Sequence, residues 1–258
     1  MMNLMRLITL NAWCGRALYP LMTFIKKSAS ETDIFCFQEV LDTDQGAVDE
    51  RHPDEYVCGD LFRRITATLP DFNGAFASFG DNPHRQSQAI FVRKTVPVTD
   101  IGDFLVHEPV RAHEHGSAVF SSRKLQHLTF DLGGRECVIA NLHGLWNGGG
   151  KTDCPERLAQ SESVRKFLDG VKGPKVLCGD FNLLPDTESM AILEKGMINL
   201  VKTHGVRSTR TPLYRLYDDP TASKFADYAL VSPDIKVERF EVLPDLASDH
   251  AALRLEFR

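Results

Sequence analysis

Mixed β-sheets interleaved with amphipathic helices, an α/β (α+β) architecture, are what this sequence predicts, on three observations. Eight short apolar runs have strand length and are rich in Ile, Val, Leu and Phe. Three segments repeat apolar residues at helical spacing. The strand-like runs crowd together in the middle of the chain and alternate with helices near its two ends, which argues for antiparallel hairpins in the middle and βα units at the ends.

The first run, LITL at 7–10, leads to a helical pattern over 16–28 with Leu18, Leu21, Met22 and Ile25 on one face. DIFCF at 33–37 follows, then the polar, loop-like stretch 42–56. Residues 60–69 place Leu61, Ile65 and Leu69 on one helical face. From 86 to 142 the chain reads as strand after strand, including QAIFV (88–92), HLTFDL (127–132) and ECVIANL (136–142), with Gly133-Gly134 as a turn. Several of these runs are near-continuous rather than alternating, as expected of strands covered on both faces. A second loop, GLWNGGGKT at 144–152, precedes a helix over 155–168, with Pro155 at its first position and Asp153 as its cap. KVLCG (175–179), a third loop at 202–224, DYALV (227–231) and ALRLEF (252–257) complete the order.

The 258 residues, 43% hydrophobic and 25% charged, suit one domain spanning 1–258 with a sizeable core. A net charge of −5 excludes gripping nucleic acid by overall basicity, though not by a local patch. Six cysteines, at 14, 36, 58, 137, 154 and 178, form no CxxC pair and no zinc-finger spacing with histidines. The N-terminus has no cleavable leader pattern, and no apolar stretch approaches the ~20 residues of a membrane span. The expectation is a reduced, cytoplasmic, soluble monomer with no stable membrane association.

The residues that end the strands carry the chemistry. LITL runs into Asn11, DIFCFQ into Glu39, ECVIANL into His143, and KVLCG into Asp180 followed by Asn182. Asp227 heads DYALV, and Ser248-Asp249-His250 precedes the last strand. Each has an ordinary reading as a turn residue, a cap or a satisfied histidine. Together they supply carboxylates, carboxamides and imidazoles that converge on one rim if the strands share a sheet pair.

Such a set suits a narrow chemistry. A hard divalent cation binds oxygen ligands from one or two carboxylates plus substrate phosphate and water. An imidazole paired with a carboxylate suits a base that deprotonates water. There is no HExxH pair, no GxSxG elbow and no GxxxxGK[ST] loop; Gly148-Gly149-Gly150-Lys151 imitates the last only loosely and reads as a flexible surface loop. Metal-assisted hydrolysis of a phosphoester fits these parts best.

The ordered motifs LNAW, FQEV, NLHG, GDFN, FADYALVS and SDH resemble the endonuclease/exonuclease/phosphatase superfamily, the deoxyribonuclease I-like fold, from Asn11 to His250. The resemblance implies a four-layer sandwich, two packed mixed sheets flanked by helices, with the active site at one rim. It implies a Mg²⁺ site, with Mn²⁺ as a substitute, in which Glu39 is the principal ligand and Asn11 and Asp249 assist. It makes His250 the base or water-orienting group held by Asp227, and gives Asp180 either the positioning or the deprotonation of the nucleophile. Asn182 and His143 would donate to the phosphoryl oxygens.

Abasic-site endonucleases carry a Tyr at the position of His143, so the chain looks more like the deoxyribonuclease I, sphingomyelinase and tyrosyl-DNA phosphodiesterase branches. Arg157 sits where many relatives carry a helix-borne basic residue; substrate binding and a solvated helix charge are equal readings. The segment 202–224 concentrates Arg207, Arg210, Arg215 and Lys224 around Tyr214 and Tyr217. A solvated loop whose charge Asp218 and Asp219 partly neutralise, and a substrate-binding segment in which Arg210 and Arg215 clamp phosphate and Tyr214 stacks on a base, are equal readings. A nucleic-acid phosphodiesterase is the leading expectation, a hydrolase of a small phosphorylated compound or lipid headgroup the alternative, and a non-catalytic binding module the remote one.

Overall fold

A computed structural model describes residues 4–43, 48–49, 52–79, 87–108 and 122–258. Parts of the predicted loop 42–56 and of the strand-rich stretch 86–142 lie outside these residues. In chain order the elements are β1 (Met5–Asn11), α1 (Leu18–Ser28), β2 (Ile34–Val40), β3 (Val48–Asp49), β4 (His52–Tyr56), α2 (Leu61–Thr68), β5 (Phe72–Phe76), β6 (Ser87–Arg93), β7 (Val98–His107), β8 (Arg123–Asp131) and β9 (Glu136–His143). They continue with α3 (Pro155–Gly170), β10 (Lys175–Asp180), α4 (Glu188–Glu194), β11 (Ile198–Asn199), α5 (Leu200–Thr203), β12 (Asp227–Val231), β13 (Val237–Val242) and β14 (Leu253–Phe257).

Two six-stranded mixed sheets form, ordered β13-β14-β1-β2-β6-β5 and β11-β12-β10-β9-β8-β7, beside the short β3-β4 pair. Each holds one parallel βαβ unit, β1-α1-β2 and β9-α3-β10, and the remaining pairings are antiparallel. Because side chains alternate along a strand, each strand serves two layers. In β1, β2 and β6, Leu7, Ile34, Cys36 and Ile90 join the core shared with the second sheet, while Ile8, Leu10, Phe35, Phe37 and Phe91 pack under Leu21, Ile25, Leu61 and Ile65 of α1 and α2. Val164 and Leu168 of α3 and Met190 and Leu193 of α4 cover the second sheet. The predicted two-sheet sandwich with outer helices is what the chain forms.

The seam between the sheets also contains amides. Gln38 Nε2 donates to Asn141 Oδ1 at 2.7 Å and to Thr9 Oγ1 at 3.1 Å, and Asn141 Nδ2 donates to Phe37 O at 3.1 Å. Gln88 Nε2 donates to Asn141 O at 3.1 Å. All are buried, so these bonds pin β2 to β9 in one relative position.

Two glycines let the ends of β9 and β10 come together. A Cβ on Gly144 would lie 2.0 Å from Phe181 O, and one on Gly179 (φ +130°) would lie 2.1 Å from Leu142 O. Both obstacles are backbone, so no side chain could move aside.

One predicted cap is corrected. Cys154, not Asp153, occupies the N-cap position of α3. The Asp153 carboxylate instead accepts from Glu188 N at 2.8 Å and Ser189 N at 2.9 Å, fastening α4 to the loop before α3. Strands β5, β7, β11 and β13 are not separately predicted by the sequence, and all four are edge strands; β3 and β4 lie in the stretch 42–56 that reads as a loop. The Gly133-Gly134 turn joins β8 to β9 as expected, with Gly134 N donating to Asp131 Oδ1 at 2.6 Å.

Candidate functional site

Strand register assembles the site. Parallel pairing brings the carboxyl ends of β1 and β2 side by side, and likewise those of β9 and β10. Asp180 is registered against His143 on one flank and Asp227 on the other. The two sheets meet at Asn11, whose Nδ2 donates to Asp180 Oδ2 at 2.9 Å while its Oδ1 accepts from Trp13 N at 2.9 Å.

Around Asp180 the groups close in. His250 Nε2 lies 3.7 Å and His143 Nε2 4.0 Å from Asp180 Oδ2. Asp180 Oδ1 accepts from Asn182 N at 3.0 Å, and Asn182 Nδ2 donates to Gly144 O at 3.3 Å. His250 Nδ1 sits 2.9 and 2.8 Å from the two Asp227 oxygens. His143 Nε2 is 3.8 Å from Glu39 Oε1, and the thiol of Cys14 meets Glu39 Oε2 at 3.5 Å. Asp180, Asn182, Asp227, Asp249, His143 and His250 are buried, whereas Glu39 keeps 21% of its side chain exposed.

The backbone aims two of these side chains. Glu39 has φ +53° and Asn182 φ +52°, in the left-handed region where a residue with a Cβ pays roughly 1–2 kcal/mol. Glu39 falls in the register break of β2 between Phe37 and Val40, a bulge that turns its carboxylate away from the ladder.

Opposed forces set the charges. Burial pushes the Glu39 carboxyl up, but His143, His250 and the Asn11 amide more than offset it and hold it below the usual range. Burial likewise opposes ionisation of Asp180, yet His250, His143, Lys151 and Arg210 hold it well below an ordinary carboxyl. His143 drops to about 4 through burial and the nearby Arg123 guanidinium, against the pull of Asp180 and Glu39. His250 moves the other way: burial and Arg210 press it down, but Asp227, Asp249 and Asp180 raise it above the ordinary histidine value.

The donor set fits a hard divalent cation. Asp180, Asp227 and His250 offer ligand atoms within 4.8 Å of one another. His250 Nδ1 is engaged by Asp227, however, which leaves the carboxylates as the stronger candidates. Glu39, held below the usual carboxyl range, has Asp180, Asp249 and the Asn11 amide as neighbours, an oxygen-rich set that could hold such an ion.

The basic segment differs from expectation. Arg210 is no free phosphate clamp: Nη1 pairs with Asp249 Oδ2 at 3.0 Å, and the guanidinium lies 4.4 Å from the centroid of the Tyr214 ring. Lys224 Nζ turns back to the carbonyls of Tyr217 and Asp219. Arg215 is exposed. Arg157 is neither a solvated helix charge nor an open substrate contact, being 1% exposed with its guanidinium on Leu145 O, Thr152 O, Gly150 O and Asn147 Oδ1. Nor is Lys151 part of a flexible surface loop, since it is buried and donates to Phe225 O at 2.8 Å. Sequence reasoning also missed Arg123, whose Nε donates to Gly144 O at 2.9 Å, and Cys14. Cys14 adjoins LNAW in the sequence, whereas only the fold brings Arg123 to NLHG.

Two packed mixed sheets whose parallel strands end in carboxylates, amides and imidazoles define a class of phosphoester-hydrolysing protein. The chain belongs to the Endonuclease/Exonuclease/phosphatase family, which matches it over residues 8–250. No curated protein matches it by sequence. Its fold is similar to that of an endonuclease/exonuclease/phosphatase from Bacteroides vulgatus, with a TM-score of 0.76, 20% identity and 99% of each chain covered. A mannosyl-6-phosphatase of Bacteroides thetaiotaomicron superposes with a TM-score of 0.72 at 20% identity, covering 98% of this chain and 99% of its own. The catalytic domain of human Nocturnin, solved with a bound sulfate anion, gives a TM-score of 0.66 at 17% identity over 100% of this chain and 97% of its own.

Proposed function

We propose that this protein is a Mg²⁺-dependent hydrolase of phosphoesters that uses water as the nucleophile. The observation that carries this reading is the Asp227–His250 pair, with the far ring nitrogen of His250 3.7 Å from Asp180 and both beside the ionised Glu39. Glu39, with Asn11 and Asp249, would hold the cation, which when bound neutralises phosphoryl charge and acidifies water. His250 Nε2 takes the proton of the attacking water as the water oxygen bonds to phosphorus and the bond to the leaving oxygen breaks. Asp227 fixes the ring through Nδ1 and stabilises the imidazolium. Asp180 holds the water in line. His143, kept neutral, and Asn182 donate hydrogen bonds to the phosphoryl oxygens as their charge grows.

For the substrate, Arg210 and Lys224 are engaged within the protein, and the net charge is −5, so support moves toward a small phosphorylated compound. A nucleic-acid phosphodiester is the second reading, favoured by exposed Arg215 beside Tyr214. Cleavage of a sugar phosphate and of oligonucleotides under identical conditions separates the two.

The enzymatic reading is tested with bis(p-nitrophenyl) phosphate. Release of p-nitrophenol should require Mg²⁺, stop in EDTA, and fall by a factor of ~10²–10⁴ in kcat in His250→Ala. Turnover unaffected by EDTA, or none with any metal, would contradict it.

A further inference from the structure

Lys151 is a buried cation that the reaction steps above leave unused. It ends the run Gly148-Gly149-Gly150, yet two bonds place it beside the site. Its Nζ donates to Phe225 O at 2.8 Å, two residues before Asp227, and its carbonyl accepts from Leu184 N at 3.0 Å, two residues after Asn182. Held there, the ammonium feels Arg210, Asp180, Asp227 and Asp249. Burial first, and Arg210 next, lower its pKa to about 8 against the pull of the three carboxylates, which leaves it mostly protonated at neutral pH.

The loop carrying Lys151 is built rather than loose. Arg157 reaches from α3 and donates to Leu145 O at 3.2 Å, Thr152 O at 2.5 Å, Gly150 O at 2.6 Å and Asn147 Oδ1 at 3.1 Å. A buried guanidinium committed to a single glycine-rich loop fixes the position of whatever that loop delivers. The charge balance gives Lys151 a purpose. Lys151 and Arg210 are the cations set among Asp180, Asp227 and Asp249. Removing Lys151 makes the site one charge more negative and less favourable to an anion.

We infer that Lys151 is a further residue of the site, the cation that binds an oxygen of the substrate's phosphate, and that Arg157 is the positioning residue for its loop. An ammonium carries three N–H donors, and the bond to Phe225 O uses one. The inference takes from the proposed function only the identity of the anion, a phosphate. Isothermal titration calorimetry with inorganic phosphate in the presence of Mg²⁺ tests it without requiring turnover. Lys151→Gln keeps an N–H for Phe225 O but loses the charge, so it should melt near wild type and bind phosphate about 10- to 100-fold more weakly. Lys151→Arg should recover part of the loss, as a merely structural lysine would not require. Folded Lys151→Gln that binds phosphate like wild type, or wild type that binds none, would overturn the inference. Phosphate binding that depends on Lys151 in a protein that hydrolyses no phosphoester would sink the hydrolase reading and leave this one standing.

Discussion

His250 and His143 approach the same Asp180 oxygen at 3.7 and 4.0 Å, but their surroundings drive them apart. Three carboxylates raise His250 above the ordinary value, while burial and Arg123 lower His143 to about 4. One ring is thereby made a proton acceptor and the other a neutral donor, a division of labour that pairs of like groups achieve only through environment. An NMR titration of the metal-free protein should show His250 titrating above 6.5 and His143 near 4. Two rings titrating together near 6.5 would contradict the account. The same shifts act on stability with opposite sign. The His250 contribution is fully present below 6.5 and fades as pH rises through its folded value. The His143 contribution is present above 6.5 and is lost as pH falls toward 4. The residues of this site were legible because they end, head or closely flank strands, as Asp180 and Asp227 do. Lys151 and Arg123 were not, because a lysine after three glycines and an arginine at the start of a strand look like surface charge until packing places them.

At the scale of elements, the site depends on how β2 and β9 are locked. Gln38 precedes Glu39 and Asn141 lies two residues before His143, so the amide contact between them fixes the separation of those two side chains. Asn141→Leu would remove the cross-sheet partner of Gln38 and leave Phe37 O without the Asn141 donor. It should cost roughly 1–3 kcal/mol in urea unfolding and lower turnover beyond what the lost stability explains. Unchanged stability would mean that the apolar core alone aligns the sheets. The apolar runs announced β1, β2, β6, β8, β9, β10, β12 and β14, several of them near-continuously hydrophobic because both faces are covered. Edge strands β5, β7, β11 and β13 escaped because they are short or partly solvent-facing, which removes that signal. The amide seam escaped for another reason: Gln38 and Asn141 read as polar interruptions of strands, and only the pairing of two sheets reveals that they satisfy each other. Asp153 shows the same limit, since its cap belongs to a helix 35 residues further on.

At the scale of the whole molecule, a net negative protein gathers four carboxylates at one rim and tolerates them because histidines, Arg210 and Lys151 stand among them. Such a cluster is the expected ground state of a site that takes up a cation together with an anionic substrate. The sheet sandwich and this rim were legible together, since six short motifs in order tie strand ends to chemistry across nearly the full chain. Substrate preference was not, because Arg210 looked like a free guanidinium in the sequence and is bound to Asp249 in the fold. Glu39 is where the account concentrates: partly exposed, ionised against its own burial, and aimed by a backbone in the left-handed region. The most direct measurement is Mg²⁺-dependent hydrolysis of bis(p-nitrophenyl) phosphate by Glu39→Gln, with Mg²⁺ affinity followed by calorimetry on the same protein. The amide keeps the shape of the site and removes the anion, so Mg²⁺ binding and turnover should be abolished and high Mn²⁺ should restore part of the activity. Wild-type metal affinity and turnover in Glu39→Gln would contradict the account.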